Sequence, residues 1–227
     1  MIELKHVSKI YPNGVEALLD VNLHIGKEEF VFIVGPSGAG KTTLMRLLYR
    51  EELPSNGQVI VDRVNVTELD SDQVPYLRRN IGVVFQDYKL LSRRTVYENV
   101  AFALQVTGAP RSQIRRHTMQ ALELVSMLKR SSSFPEELSG GEKQRICIAR
   151  AIVNNPPVLL ADEPTGNLDP QTTYEIMELL DKINRRNTTL ITATHNKSIV
   201  DMMKRRVVQL ESGRIIRDQQ LGTYSNS

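Results

Sequence analysis

Eight residues, Gly35-Pro-Ser-Gly-Ala-Gly-Lys41-Thr42, constrain this chain more than any others. They satisfy the spacing G-x-x-x-x-G-K-[ST], with a run of five apolar residues, Phe30 to Val34, before them and Thr43-Leu-Met-Arg-Leu-Leu48 after them. The order reads as strand, tight glycine loop, helix. Glycines allow the backbone to curl at positive φ so that successive N–H groups turn inward, and the following helix adds the positive end of its dipole. A loop of this kind, Gly35, Pro36, Ser37, Gly38, Ala39, Gly40, Lys41, Thr42 and Thr43 together, binds phosphate. Lys41 is placed to bridge the outer phosphates and the Thr42 hydroxyl to hold Mg²⁺, a hard cation that prefers oxygen. A nucleoside triphosphate is the expected ligand.

A chain of 227 residues has room for one good core, and its 41% hydrophobic and 24% charged residues are ordinary for a soluble globular protein. The longest unbroken apolar runs are about five residues, against about 20 for a bilayer span, so none is expected. Met1-Ile-Glu-Leu-Lys-His-Val has no signal-peptide pattern, and a cytoplasmic product is expected. The net charge of +3 is spread as basic pairs such as Arg78-Arg79 and Arg185-Arg186. Such a balance suits an anionic membrane surface and nucleic acid equally, so charge does not choose between them. The single cysteine, Cys147, sits in a helical apolar pattern and reads as a core residue.

Along the chain, Ile2 to Val7 and Val21 to Ile25 are short strand candidates on either side of the turn Tyr11-Pro-Asn-Gly14, and Gln58 to Val61 is another. Tyr11 can be a loop aromatic or a surface for an adenine ring. Ile81 to Phe85 is a buried strand ending in Gln86, at the carboxyl end where open α/β sheets meet their ligands. Gln86 is therefore a candidate to touch the metal or the attacking water, or else a turn residue. From 87 to 155 the period becomes helical (Ile114, Ala121, Leu122, Val125, Leu128, then Ile146, Ala149, Ile152, Val153). That predicts a single domain, 1–227, with a helical subdomain at 87–155 inserted between 1–86 and 156–227. Leu138-Ser-Gly-Gly-Glu142 lies within it. Ser139 and Glu142 have the spacing of a capping box, and the same helix start, with Gly140 and Gly141, exposes N–H groups to which a γ-phosphate can bind.

Val158 to Ala161 is an apolar run leading into Asp162-Glu163. Two carboxylates closing a buried strand repel each other and lose solvation unless a cation sits near them. Asp162 suits the metal, and Glu163 suits orienting and deprotonating water. Ile176, Leu179, Leu180 and Ile183 mark another helix. Thr188 to Ala193 is a strand ending at His195, either a phosphate contact or a structural histidine. His6, His24 and His117 read as surface or packing residues. Val207 to Leu210 and Gly213 to Ile216 suggest a closing hairpin, and 222–227 a frayed tail.

Taken together, these motifs in this order resemble the ATP-binding cassette (ABC) ATPase family over nearly the whole length. The resemblance implies an α/β fold: a P-loop NTPase (RecA-like) core with an N-terminal antiparallel β subdomain and an inserted α-helical subdomain. It implies that Tyr11 stacks on adenine, that Gln86 is the Q-loop residue, and that Leu138 to Glu142 is the signature loop. Glu163 becomes the general base, Asp169 the D-loop acid and His195 the switch histidine. It also implies a homodimer on ATP binding, each Ser139 closing on ATP held by the other copy. Glu142 stands where the family commonly has Gln. The tracts Phe85 to Leu91, Arg94 to Val100, Ala149 to Pro156 and Pro164 to Asp169 resemble the family's bacterial cell-division branch of Gram-positive type. This implies an FtsX-like integral membrane partner docking beside Gln86, a place on the cytoplasmic side of the plasma membrane at the septum, and, indirectly, a peptidoglycan hydrolase. ATPases of lipoprotein-releasing and macrolide-exporting transporters share Gly166-Asn-Leu-Asp169. Soluble relatives acting on DNA or ribosomes carry coiled-coil insertions, zinc cysteines or paired cassettes that are missing from this sequence, so no nucleic-acid partner is expected.

Overall fold

A computed structural model describes residues 1–224. Strands β1 (Ile2–Ile10) and β2 (Glu16–Ile25) pair antiparallel around the Tyr11 to Val15 turn, and β1 also pairs antiparallel with a later strand, β4. Between them in sequence come β3 (Phe30–Val34) and α1 (Lys41–Leu48). After α1 follow β4 (Asn56–Val61), β5 (Val64–Asn65), α2 (Val74–Arg79) and β6 (Ile81–Val84). The helical stretch contains α3 (Val96–Gln105), α4 (Arg111–Leu124) and α5 (Gly140–Ile152), with short 3₁₀ turns between α4 and α5. Then come β7 (Val158–Asp162), α6 (Pro170–Asn184), β8 (Thr189–Ala193), α7 (Lys197–Met203), β9 (Arg206–Glu211) and β10 (Arg214–Gln219).

Two sheets result. One is antiparallel, in the order β2-β1-β4-β5; the other runs β10-β9-β3-β8-β7-β6 and is parallel except for β10. This is the α/β fold expected, with the N-terminal antiparallel sheet and the run of helices in their expected order. Burial on both faces explains why the central strands β3 and β7 are almost continuously apolar. In β3, Phe30, Phe32 and Val34 face the core beneath α3 to α6, while Val31 and Ile33 face the second core, which holds α1 and the antiparallel sheet. The alternation follows from the two-residue period of a strand.

Several boundaries differ from the sequence reading for identifiable reasons. The α4 periodicity runs on to Leu128, yet the helix ends at Leu124 because Ser126 takes a left-handed conformation (φ 61°). Helix α3 starts from a capping box of its own, Thr95 with Glu98, whose T-x-x-E spacing was available in the sequence. Helix α7 starts at Asn196, whose side chain accepts the Ile199 N–H at 3.2 Å. The tail is tied down where it is described: the Tyr224 N–H donates to Asp201 at 2.6 Å and Arg217 to the Thr223 carbonyl at 2.6 Å. The rest of the expected frayed segment, 225–227, lies outside the described residues.

Candidate nucleotide site

Because β3, β8, β7 and β6 are parallel neighbours, their carboxyl ends lie along one edge of the sheet. Ile33 pairs with Ala193, Ala161 with Thr192 and Val84 with Ala161. The segments that leave those ends are the glycine loop, His195, Asp162-Glu163 and Gln86, which are 30 to 160 residues apart in sequence. Gln86, Glu163 and His195 line one cleft of about 590 Å³ with Tyr11, Ser37, Gly38, Gly40, Lys41, Thr42 and Thr43, and Asp162, at the end of β7, is next to it through Thr42 and Glu163.

The loop's shape depends on its glycines. Gly35 has φ 147°, and a Cβ there would lie 2.1 Å from the Leu210 carbonyl oxygen. Gly40 has φ 105°, and a Cβ there would lie 2.3 Å from the Ala17 carbonyl. Ala39 packs into the core below, and Pro36 lies on the exposed rim. Lys41 is only 8% exposed; its ammonium donates to the carbonyls of Gly35 at 2.8 Å and Pro36 at 3.0 Å. An ammonium has three N–H donors, so one is left over for an anion in the cleft. Tyr11 reaches the same wall, its hydroxyl 3.2 Å from Thr43 Oγ1, with the Lys9 ammonium 5.0 Å from its ring centre.

Glu163 sits in a left-handed conformation (φ 47°), which costs an L-residue about 1–2 kcal/mol. Two bonds hold it there. Its N–H donates to the Ala193 carbonyl at 2.9 Å, and its carboxylate accepts from His195 Nδ1 at 2.8 Å. An ionised carboxylate only accepts, so Nδ1 carries the hydrogen in that pair. The carboxylate is largely buried while the imidazole is two-thirds exposed, so the ring extends from Glu163 into the cleft.

Asp162 differs in its surroundings. Burial pushes its carboxyl above the usual carboxylate range, the Thr42 hydroxyl works against that by hydrogen bonding, and the Glu163 charge adds to the rise. Its Oδ1 is buried with no hydrogen-bond partner among the described residues. A buried, unsatisfied carboxylate oxygen beside a threonine hydroxyl and a second carboxylate is the donor chemistry of a Mg²⁺ site. Such sites use one or two protein oxygens and leave the remaining positions to water and phosphate.

Ser139, Gly140 and Gly141 are not in this cleft. Ser139 caps α5: its hydroxyl accepts the Glu142 N–H at 3.2 Å, and Glu142 accepts the Ser139 N–H at 2.9 Å. The capping reading is therefore correct. Ser139 is exposed, and Gly141 packs so closely on α6 that a Cβ would meet Thr172 at 2.4 Å.

One feature escaped the sequence reading. Tyr88 and Lys89, just after Gln86, are both left-handed (φ 48° and 47°). Arg150 on α5 donates to the Tyr88 carbonyl at 2.7 Å and the Lys89 carbonyl at 2.6 Å, and the Cys147 thiol donates to Tyr88 at 3.0 Å. Burial pushes that thiol up to about 12, so Cys147 is the core residue expected. A second cleft, of about 570 Å³, is lined by Tyr49, Arg78, Phe85, Val106 and Arg150 among others.

A profile of the ABC transporter family matches residues 18–166. The chain belongs to the ABC transporter family. Among relatives of this ABC ATPase, the cell division ATP-binding protein FtsE of Bacillus subtilis is 52% identical over 226 residues, covering 100% of this chain and 99% of that one. The protein of the same name from Mycobacterium tuberculosis is 53% identical, covering 99% of this chain and 98% of its own. A solved dimeric ATP-binding cassette, in a post-hydrolysis state bound to ADP and Pi, superposes with a TM-score of 0.88 at 36% identity, covering 98% of this chain and 99% of that one.

Proposed function

We propose that this ABC ATPase is the FtsE-type subunit of a membrane complex, in which binding and cleaving ATP drives a shape change. The observation that carries the reading is the convergence, at one sheet edge, of a phosphate-binding loop, a buried carboxylate lacking a partner and a Glu163–His195 pair. In this reading Tyr11 stacks on adenine, the loop 35–43, through its free backbone N–H groups, and the Lys41 ammonium hold the phosphates, and Thr42, Asp162 and Gln86 hold Mg²⁺. When bound, the ion neutralises charge building on the phosphates. Glu163 orients a water molecule and takes its proton as the oxygen attacks the γ-phosphorus. The bond to the bridging oxygen breaks, and ADP and phosphate are released. His195 keeps Glu163 in position and donates to the terminal phosphate.

Ser139 is exposed, and Ser139, Gly140 and Gly141 do not line the chain's own cleft, which supports a role for them at the cleft of a second copy. Two chains then enclose two ATP molecules and separate after cleavage, a switch whose closed state is favoured by γ-phosphate contacts. The high identity to proteins named FtsE supports cell division as the setting, with an FtsX-like partner at the cytoplasmic face of the plasma membrane and, through it, a peptidoglycan hydrolase. The cleft beside Phe85 and Gln86 suits a docked helix of that partner. No helix among the described residues is long and apolar enough to cross a membrane, and in this reading the membrane partner supplies the attachment.

Glu163→Gln tests the chemistry. Turnover should fall by about 10²- to 10⁴-fold with ATP affinity by calorimetry unchanged; full turnover would remove Glu163 as base. Affinity capture from membranes should recover a multi-span protein, and recovery of ribosomes or DNA in its place would overturn the membrane assignment.

A further inference from the structure

The Glu142 carboxylate raises an electrostatic problem. It lies at the start of α5, one turn from the Ser139 hydroxyl and the Gly140 and Gly141 N–H groups proposed to receive the partner copy's γ-phosphate. Helix N-termini attract anions, and an ionised carboxylate at the same terminus reduces that attraction by direct repulsion. Glu142 stays ionised, because the Ser139 N–H and hydroxyl hold its carboxyl below the usual carboxylate range, with Arg130 adding to this. Its two oxygens are divided: Oε2 accepts the Ser139 N–H at 2.9 Å, and Oε1 accepts Nε of Arg130 at 3.3 Å.

Arg130 comes from a different segment, the 3₁₀ turn Leu128–Arg130 between α4 and α5. Its Nη1 and Nη2 make no hydrogen bond among the described residues, and the side chain is half exposed. As a stabilising contact the pair is worth little, since exposed ion pairs seldom are. Its effect on an incoming anion is different. The pair is neutral as a unit, so the guanidinium offsets the carboxylate's charge at the start of α5 while its two other nitrogens keep free donors.

We infer that Arg130 is a positioning residue of the signature loop, held by Glu142, that cancels the carboxylate's repulsion and so permits the loop to close on the ATP of a second copy. The inference rests on the closed-dimer reading above. It predicts a dependence between the two positions: Arg130 acts at the loop only while the Glu142 carboxylate holds it there.

The test is ATP-driven association measured by sedimentation, with Mg²⁺ and saturating ATP, in the full chain carrying Glu163→Gln. Adding Arg130→Gln should weaken association roughly tenfold per ATP site, as expected for one uncompensated charge near a phosphate at moderate salt. Arg130→Lys should retain most of it. In the Glu142→Gln background the Arg130→Gln loss should fall below about twofold, because no carboxylate remains to hold the guanidinium beside the loop. Thermal unfolding of Arg130→Gln should match the parent, which separates the effect from misfolding. A parent that associates while Arg130→Gln associates equally well overturns this inference alone, as does a loss that persists undiminished with Glu142→Gln. A parent that stays monomeric overturns the closed dimer and this inference with it.

Discussion

Asp162→Asn separates stability from function in a direction set by the structure. In the ligand-free protein Asp162 is a partly buried carboxylate with one orphaned oxygen and a carboxyl raised above its ordinary range. A raised acid binds its proton more tightly folded than unfolded, so keeping it ionised costs stability, and that cost grows as pH rises above the unfolded value of about 3.9. Asparagine removes the charge but leaves a buried polar atom unsatisfied. The net gain at neutral pH is therefore modest, about 1 kcal/mol after allowing for partial solvent access, which is a rise of about 2–4 °C in Tm for a chain of this size. In the unmutated protein Mg²⁺ and ATP at a hundred times Kd add about 2.7 kcal/mol, or about 5–10 °C. The variant should start higher and lose the part of that shift that depends on Mg²⁺. Differential scanning fluorimetry with ATP in EDTA, and again in Mg²⁺, reads both effects. A variant less stable without ligand would refute the burial cost assigned to the Asp162 carboxylate, and one that keeps the full Mg²⁺-dependent shift would refute the assignment of Asp162 to the metal.

Two stability predictions accompany it. Gly35→Ala adds a methyl 2.1 Å from the Leu210 carbonyl at a φ that disfavours side chains, so it should cost about 3 kcal/mol by chemical denaturation; Gly38→Ala, with nothing within 4 Å, should cost only about 1 kcal/mol. Arg206 is 9% exposed in its side chain and bonds Asp218 at 2.7 and 2.8 Å and Glu29 at 2.6 Å. Arg206→Met should cost about 3 kcal/mol, the low end for a broken buried pair, because both carboxylates keep some solvent access; an effect under 1 kcal/mol in urea unfolding would contradict that.

The two kinds of information in the sequence were unequally legible. Strands β3, β6 and β7 were visible because burial makes them almost continuously apolar, and β8 because it is rich in β-branched residues, and the residues at their ends stood out as polar punctuation. Helix α3 was less visible, since its apolar face is short and its start depends on a capping box at Thr95. Among the site residues, those in motifs of fixed spacing were found, but contacts between distant segments were not. Arg150 reads as one more basic residue until α5 is packed beneath the 88–89 carbonyls, and Arg130 as one half of a Lys-Arg pair until its turn folds against Glu142. Tyr11 shows the same limit. Position alone favours a loop aromatic, and only the pairing of β1 with its neighbours brings its hydroxyl to Thr43.

The dependence of ATP turnover on protein concentration tests most directly whether the site is completed by a second copy. Specific activity of the unmutated chain, with and without its membrane partner, should rise with concentration and show a Hill coefficient for ATP above 1, approaching about 2. Activity per chain that stays constant over a thousandfold dilution, with simple hyperbolic ATP dependence in both conditions, would mean that each cleft works alone.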